Sequence, residues 1–84
     1  MRDKIAEWLE AIDETALFAD GFDGAIIGLT EDALNNAFRV CYSVDHCCEI
    51  LMVDHDMGYD EAMEYFDFNV RGAIVGPSTP IFVI

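Results

Sequence analysis

The apolar residues of this chain recur with two different periods, and this patterning limits the fold to a mixture of helices and strands. From Ile5 to Ala16 they recur at i, i+3, i+4, i+7 and i+11, the spacing of one helical face. From Ala37 to Ser43 they alternate with period two, as in a strand with one buried face. A chain of 84 residues has room for one small core. We therefore expect a single domain over residues 1–84.

The full pattern predicts an α+β fold with the element order αββααβ. The first helix is expected to begin at Asp3 and to end somewhere within residues 12–19. Two further helices are expected, one capped by Ser43 and one beginning after Gly58 and ending before Gly76-Pro77. A small three-stranded antiparallel sheet, covered by the helices, is expected from residues 25–30, 37–43 and 79–84. Residues 31–36 fit either a loop or a single helical turn.

Two groups of side chains are expected to fill the core. The positions expected to be buried on the last helix are Ala62, Met63, Phe66, Val70 and Ala73. The aromatic residues expected in the core are Trp8, Phe18, Phe22, Phe66, Phe68 and Phe82. On the middle helix, Cys47 and Cys48 lie on the apolar stripe, where cysteine behaves as a small apolar residue.

Acidic residues far outnumber basic ones, with 17 Asp and Glu against 4 Lys and Arg and a formal net charge of −13. This balance excludes direct binding of nucleic acid or of an anionic membrane through a basic face. The hydrophobic content of 54% and the aromatic content of 12% separate the chain from disordered acidic sequences. Repulsion among so many negative charges opposes the compact state, so we expect the excess of acidic residues to serve a function.

The acidic residues follow helical spacing on the three predicted helices. On the first helix they recur at i, i+4, i+7 and i+11, and the other two helices carry similar rows. The candidate partner-binding residues are Asp3, Glu7, Glu10, Glu14, Asp45, Glu49, Asp60, Glu61, Glu64 and Asp67. Three or four helical residues rise about 4.5–6 Å, which is similar to the spacing of successive phosphates on a nucleic-acid strand. Tyr59 and Tyr65 flank the last row, either as contact anchors or as partly buried residues.

The sequence contains no pattern for a metal site, a cofactor site or a catalytic centre. Its three cysteines, Cys41, Cys47 and Cys48, form no C-x₂-C pair, and His46 and His55 are too far apart for a zinc motif. There is no nucleophile elbow, P-loop or dinucleotide-binding motif. So short a chain is also expected to have little room for a pocket of about 300 Å³. We therefore expect no metal, no cofactor and no enzymatic activity, in a soluble intracellular protein without a signal segment.

Four runs of the sequence resemble a group of small proteins from phages and other mobile elements. The runs are FADGFDGAIIG at 18–28, CEILM at 48–52, EYFDFNVRGAIVG at 64–76 and TPIF at 79–82. That group has no established catalytic motif, and a Gly-rich connection often joins its first two strands where this chain has residues 31–36. In size and charge, the chain is also similar to phage DNA mimics, among them anti-CRISPR and anti-restriction proteins.

These features favour a phage-encoded inhibitor of host defence, most concretely an anti-CRISPR protein in the cytoplasm of the infected host cell. Its acidic helical faces are expected to occupy the basic DNA-binding groove of a CRISPR effector complex and to exclude target DNA. Two alternatives stay open. One is a small acidic homodimeric interaction or regulatory module that makes its apolar contact around Phe22, Phe68 or the closing strand. The other is a halophilic domain whose acidic surface is an adaptation to salt.

Overall fold

The structure, a computed structural model, describes residues 1–72 and 76–84 and has an α+β architecture. Its described residues form three α-helices and one three-stranded sheet. The elements in chain order are α1 (Arg2–Ala11), a 3₁₀ turn (Asp23–Ala25), β1 (Ile26–Asp32), β2 (Ala37–Ser43), α2 (Val44–Asp54), α3 (Tyr59–Phe66), a π-helical turn (Asp67–Arg71) and β3 (Ile81–Val83). The predicted α+β class is confirmed, and the order of the main elements matches αββααβ.

The sheet is mixed rather than wholly antiparallel, which corrects one part of the prediction. In the order β1-β2-β3, β1 pairs antiparallel with β2, whereas β3 pairs parallel with β2 and places Phe82 opposite Tyr42. After β2 the chain passes through α2 and α3 before it returns to the sheet, and such a crossover is the connection that parallel neighbours require. An apolar run such as residues 79–84 carries no information about strand direction.

A four-residue turn joins β1 to β2 and decides between the two structures predicted for residues 31–36. Glu31 and Asp32 continue β1, and residues 33–36 form the turn. The Asp32 carboxylate accepts hydrogen bonds from the side-chain amide of Asn35 at 2.7 Å and from its backbone N–H at 3.4 Å. The side-chain bond is the largest cause of a lowered pKa for Asp32. Asn36 adopts a φ of 50°, a left-handed conformation that asparagine tolerates.

The beginnings of α2 and α3 agree with the sequence pattern, but the end of α3 does not. Ser43 Oγ accepts a hydrogen bond from the His46 backbone N–H at 3.3 Å, so the predicted N-cap of α2 is confirmed. α3 begins directly after Gly58, as predicted. Its α-helical hydrogen bonding ends at Phe66, well before the predicted stop at Gly76-Pro77, and a π-helical turn follows.

A single core lies between the sheet and the helices. Its buried residues are Ile5, Leu9, Phe22, Ala25, Ile26, Val40, Tyr42, Val44, Cys47, Cys48, Leu51, Ala62 and Phe66. The predictions for Ala62, Phe66 and the two adjacent cysteines are confirmed, while Met63 and Val70 are partly buried against this core. The fifth position predicted on the last helix, Ala73, lies outside the described residues.

Two of the six aromatic residues predicted for the core lie on the surface instead. Trp8 is 49% exposed and Phe68 is 77% exposed. The other four are buried or packed against the core: Phe18, Phe22, Phe66 and Phe82. Trp8 lies beside the narrow buried face of α1, and the Lys4 ammonium nitrogen lies 5.4 Å from the centroid of its ring. Phe68 stands two residues after the buried Phe66, about 200° around a helix, so it lies off the stripe that α3 buries.

Tyr42 connects the sheet to the segment that follows α1. Its side chain is fully buried, and its hydroxyl accepts a hydrogen bond from the Ala19 backbone N–H at 2.7 Å. Burial raises the pKa of Tyr42, so the hydroxyl keeps its proton and can also donate. The Ala19 N–H belongs to no helix or strand, so the Tyr42 hydroxyl supplies the acceptor that this backbone donor needs.

Replacing Tyr42 with Phe is expected to lower the free energy of unfolding by about 1–3 kcal/mol, because the Ala19 N–H loses its partner. Urea denaturation followed by circular dichroism measures the change. Tyr59→Phe removes the same hydroxyl from an exposed side chain and is expected to stay within about 0.5 kcal/mol of the parent. Equal unfolding free energies for the two variants would contradict this account of Tyr42.

Candidate acidic interface

The carboxylates of α1 lie on the side of the helix opposite its buried residues. Ile5 and Leu9 are buried. At about 100° per residue, Asp3, Glu7 and Glu10 lie roughly 120–180° around the helix from the centre of that buried face. All three acids are exposed. The structure therefore places this part of the predicted row on one solvent-facing side of α1.

α3 repeats the arrangement of α1. Ala62 and Phe66 are buried, and Asp60, Glu64 and Asp67 are exposed. The acids occupy the same positions relative to the buried residues in both cases. One lies two residues before the first buried residue, one lies two residues after it, and one lies directly after the second buried residue. Glu61 is also exposed and flanks the α3 row. The two rows share one spacing, i, i+4 and i+7.

The spacing of the acidic residues predicts that Glu14 extends the row of α1, but the structure places it outside that row. α1 ends at Ala11, and Asp13 has a φ of 56°. The Glu14 N–H donates to the Leu9 carbonyl at 2.9 Å, and the Asp13 N–H donates to the Glu10 carbonyl at 3.1 Å. These two bonds form a Schellman motif, which turns the chain away from the helix axis. Glu14 is exposed, but it lies off the helical row.

The contribution of α2 is a shorter row. Asp45 and Glu49 are exposed, and both lie roughly 90–150° around the helix from its buried stripe. α2 packs against α3 and against β2. The acids of α2 and α3 therefore lie on two helices that pack against each other.

The four cations of the chain neutralise little of this acidic surface. The salt bridges of the described residues are Arg2–Asp23 at 3.0 Å, Arg39–Asp32 at 3.6 Å and Arg71–Asp67 at 3.2 Å. Within the described part of the chain, Asp67 is the one candidate residue that pairs with a cation. Every acidic residue except Asp32 is exposed. The rows therefore present their charge to water.

An open cleft of about 310 Å³ lies beside the α3 row. Its lining residues are Glu61, Glu64, Tyr65, Phe68 and Asn69, and we refer to it as the aromatic–acid cleft. The first four are spaced i, i+3, i+4 and i+7, which places them on one side of a helix. The sequence therefore contained a signal for this cleft, but the expectation that Phe68 is buried concealed it.

A second concave site, of about 370 Å³, lies between the segment after α1, α2 and the π-helical turn. Its walls are mainly apolar and include Phe18, Ile50 and Phe82, with His55 and Tyr65 among its polar residues. The expectation that so short a chain has little room for a pocket of this size is wrong. Among the described residues, no hydrogen bond joins two of the polar side chains that line it.

The cysteines are placed for packing. Cys47 and Cys48 are buried, and Cys41 is partly buried. Burial raises the pKa of Cys47 to about 12 and also raises the pKa of Cys48 and of Cys41, whereas metal binding and nucleophilic attack need the thiolate. Across residues 1–72 and 76–84, no three His, Cys, Asp or Glu residues form a group that could hold a metal ion.

Comparison with known proteins identifies no relative of this chain: no family model, curated protein or solved structure matches it. None of the helices in the described residues has the length and apolar character needed to cross a membrane. Function is therefore inferred from the geometry of the acidic rows and of the aromatic–acid cleft.

Proposed function

We propose that this protein is a phage-encoded inhibitor of host defence that acts in the cytoplasm of the infected cell as a mimic of DNA. In its most concrete form it is an anti-CRISPR protein whose acidic helical faces fill the basic DNA-binding groove of a CRISPR effector complex. The observation that supports this best is the repeated row: α1, and α3 together with the first residue of the π-helical turn, present exposed carboxylates at i, i+4 and i+7, of which only Asp67 is paired with a cation among the described residues.

The spacing within each row suits a groove that binds DNA. Successive acids are separated by three or four residues, or about 4.5–6 Å of helix rise, which is similar to the separation of successive phosphates. Lys and Arg side chains arranged for a phosphate backbone would therefore meet a carboxylate at comparable intervals. Long-range attraction between the two surfaces would also speed their encounter.

The rows act against the stability of the helices that carry them. Asp3 with Glu7, and Asp60 with Glu64, are like-charged pairs at i,i+4, and each such pair destabilises a helix by about 0.2–0.5 kcal/mol. None of these four acids pairs with a cation in the described structure. A sequence selected for stability alone would place Lys or Arg at alternate positions, so the alignment supports a use for the charge.

Direct binding to effector complexes tests the proposal. The labelled protein is titrated with purified CRISPR effector complexes of several types, and binding is followed by fluorescence anisotropy without DNA. We expect at least one complex to bind, and we expect bound protein to prevent later binding of target DNA. Because exposed charges are screened by salt, affinity should fall by about tenfold or more between roughly 0.1 M and 0.5 M NaCl. Affinity that stays constant over this range would contradict mimicry.

A homodimeric interaction module is the second candidate, and exposed apolar side chains favour it. Phe68 is largely exposed and Ile84 is 97% exposed, whereas Phe22, another residue expected in such a contact, is buried. Light scattering in the same two salt concentrations separates the candidates. A dimer that strengthens with salt supports the module, since screening weakens repulsion between two acidic copies. A monomer in both buffers excludes it.

A further inference from the structure

The aromatic–acid cleft combines the groups that recognise an arginine side chain. Tyr65 and Phe68 present exposed rings, and Glu61 and Glu64 present exposed carboxylates. We propose that this cleft receives an arginine of the partner protein, with its guanidinium against the Phe68 ring and hydrogen-bonded to Glu61 or Glu64. This inference rests on the proposed function, because it names the partner side chain that the α3 face binds.

Two arginines of this chain each already contact both an aromatic ring and a carboxylate. The two sets are Arg2 with Phe18 and Asp23, and Arg71 with Phe66 and Asp67. The guanidinium carbons lie 4.5 and 5.2 Å from the ring centroids, and the Nη1 atoms lie 3.0 and 3.2 Å from a carboxylate oxygen, respectively. A guanidinium is planar and weakly hydrated, so it stacks on a ring while it donates hydrogen bonds to a carboxylate.

No cation of this chain fills the aromatic–acid cleft. All four belong to the described residues, and each has contacts elsewhere. Arg2 and Arg71 form the two sets above, Arg39 donates to the Thr79 carbonyl at 2.7 Å, and Lys4 lies over Trp8. The lining of the cleft includes no Lys or Arg. Its two carboxylates and its exposed ring are therefore available to a cation from another molecule.

The π-helical turn carries two of the residues that line the cleft, Phe68 and Asn69. Asn69 Nδ2 donates a hydrogen bond to the Tyr65 carbonyl, four residues earlier, at 3.2 Å. Turns of this kind occur frequently at functional sites.

A titration with N-acetyl-arginine amide, followed by NMR of the labelled full-length protein, tests the inference. We expect the largest shifts at Tyr65, Phe68 and the Asn69 side-chain amide. N-acetyl-citrulline amide has nearly the same shape without the charge, and it is expected to cause no comparable shifts. Equal shifts with both compounds, or shifts spread evenly over the Asp3, Glu7 and Glu10 row as well, would overturn the assignment.

Variants of Phe68 provide the second arm of this test. Phe68→Ala and Phe68→Leu both remove the ring face, and each is expected to raise the dissociation constant of N-acetyl-arginine amide about two- to fivefold. Trp8→Ala removes another exposed ring, which Lys4 already covers, and is expected to leave the constant unchanged. If Phe68→Leu binds as the parent does, the contact is not made through the ring and the inference is wrong.

This titration uses no effector complex, so its outcome is separate from that of the proposed function. If arginine binds at the cleft but none of the effector complexes binds the protein, the anti-CRISPR form of the proposed function is refuted and the assignment of the cleft is supported. Effector binding without arginine binding at the cleft would support the acidic rows and refute the cleft.

Discussion

Reversing Glu7, Glu10 and Glu64 to lysine is expected to abolish binding to a CRISPR effector complex, with a loss in affinity of about 100-fold or more. Each reversal replaces an attraction to a basic groove by repulsion, and like charges brought together at an interface cost several kcal/mol. The change spans both rows. Asp67 is left intact because it already pairs with Arg71. Anisotropy at about 0.1 M NaCl measures the affinity.

A control with the same charge separates alignment from net charge. Asp20, Glu31 and Asp54 are exposed and lie outside the rows, so their reversal to lysine gives the same net charge of −7. We expect this control to retain most of the affinity. The row variant should remain folded, because a lysine at position 7 or 64 forms favourable pairs with Asp3 or Asp60. If both variants lose binding equally, only the total charge matters and the mimicry of a phosphate row is refuted.

Replacing Phe66 with Ala is expected to lower the free energy of unfolding by about 3–5 kcal/mol. Phe66 has no exposed surface, its ring meets that of Phe82 edge-to-face at a centroid distance of 5.1 Å, and the guanidinium of Arg71 lies over it. Deletion of the ring leaves a cavity where α3, β3 and the π-helical turn meet. Since small domains have a total stability of about 5–15 kcal/mol, the variant should be close to unfolding. Urea denaturation measures the change.

Phe68→Ala is the matched control, because it removes the same ring two residues later from an exposed position. Its unfolding free energy is expected to stay within about 0.5 kcal/mol of the parent. Should Phe66→Ala fail to fold, Phe66→Leu keeps the position measurable, with an expected loss below about 1.5 kcal/mol. A parent-like stability for Phe66→Ala would show that this ring does not anchor α3.

Local sequence signals predicted much of the fold and of the acidic surface. The Ser43 cap depends on one side chain and a neighbouring N–H, and the burial of Ala62 and Phe66 follows from helical spacing alone. The exposed rows on α1 and α3 follow from the same spacing. In each case the deciding contacts lie within a few residues of one another, so periodicity and capping residues were sufficient.

Two of the features that the predictions missed depend on a contact between distant residues or on a local break in regularity, and a third was missed because residue type was preferred to helical spacing. The parallel direction of β3 is set by how the chain crosses back over the sheet, which no residue in that strand encodes. Glu14 left its row because α1 ended in a Schellman motif within a range that the pattern left open. Phe68 was expected to be buried because it is aromatic, although helical spacing places it about 200° around the helix from the buried Phe66.

The parallel pairing of β3 also sets an order for folding. β1 and β2 are separated by four residues, whereas 37 residues separate β2 from β3. A hairpin with so short a connection forms within about 1–10 μs, while a long loop loses more entropy when it closes. We therefore expect the hairpin to form early and β3 to dock late. The rings of Tyr42 and Phe66 would then gain their contact with Phe82 only as the domain completes its assembly.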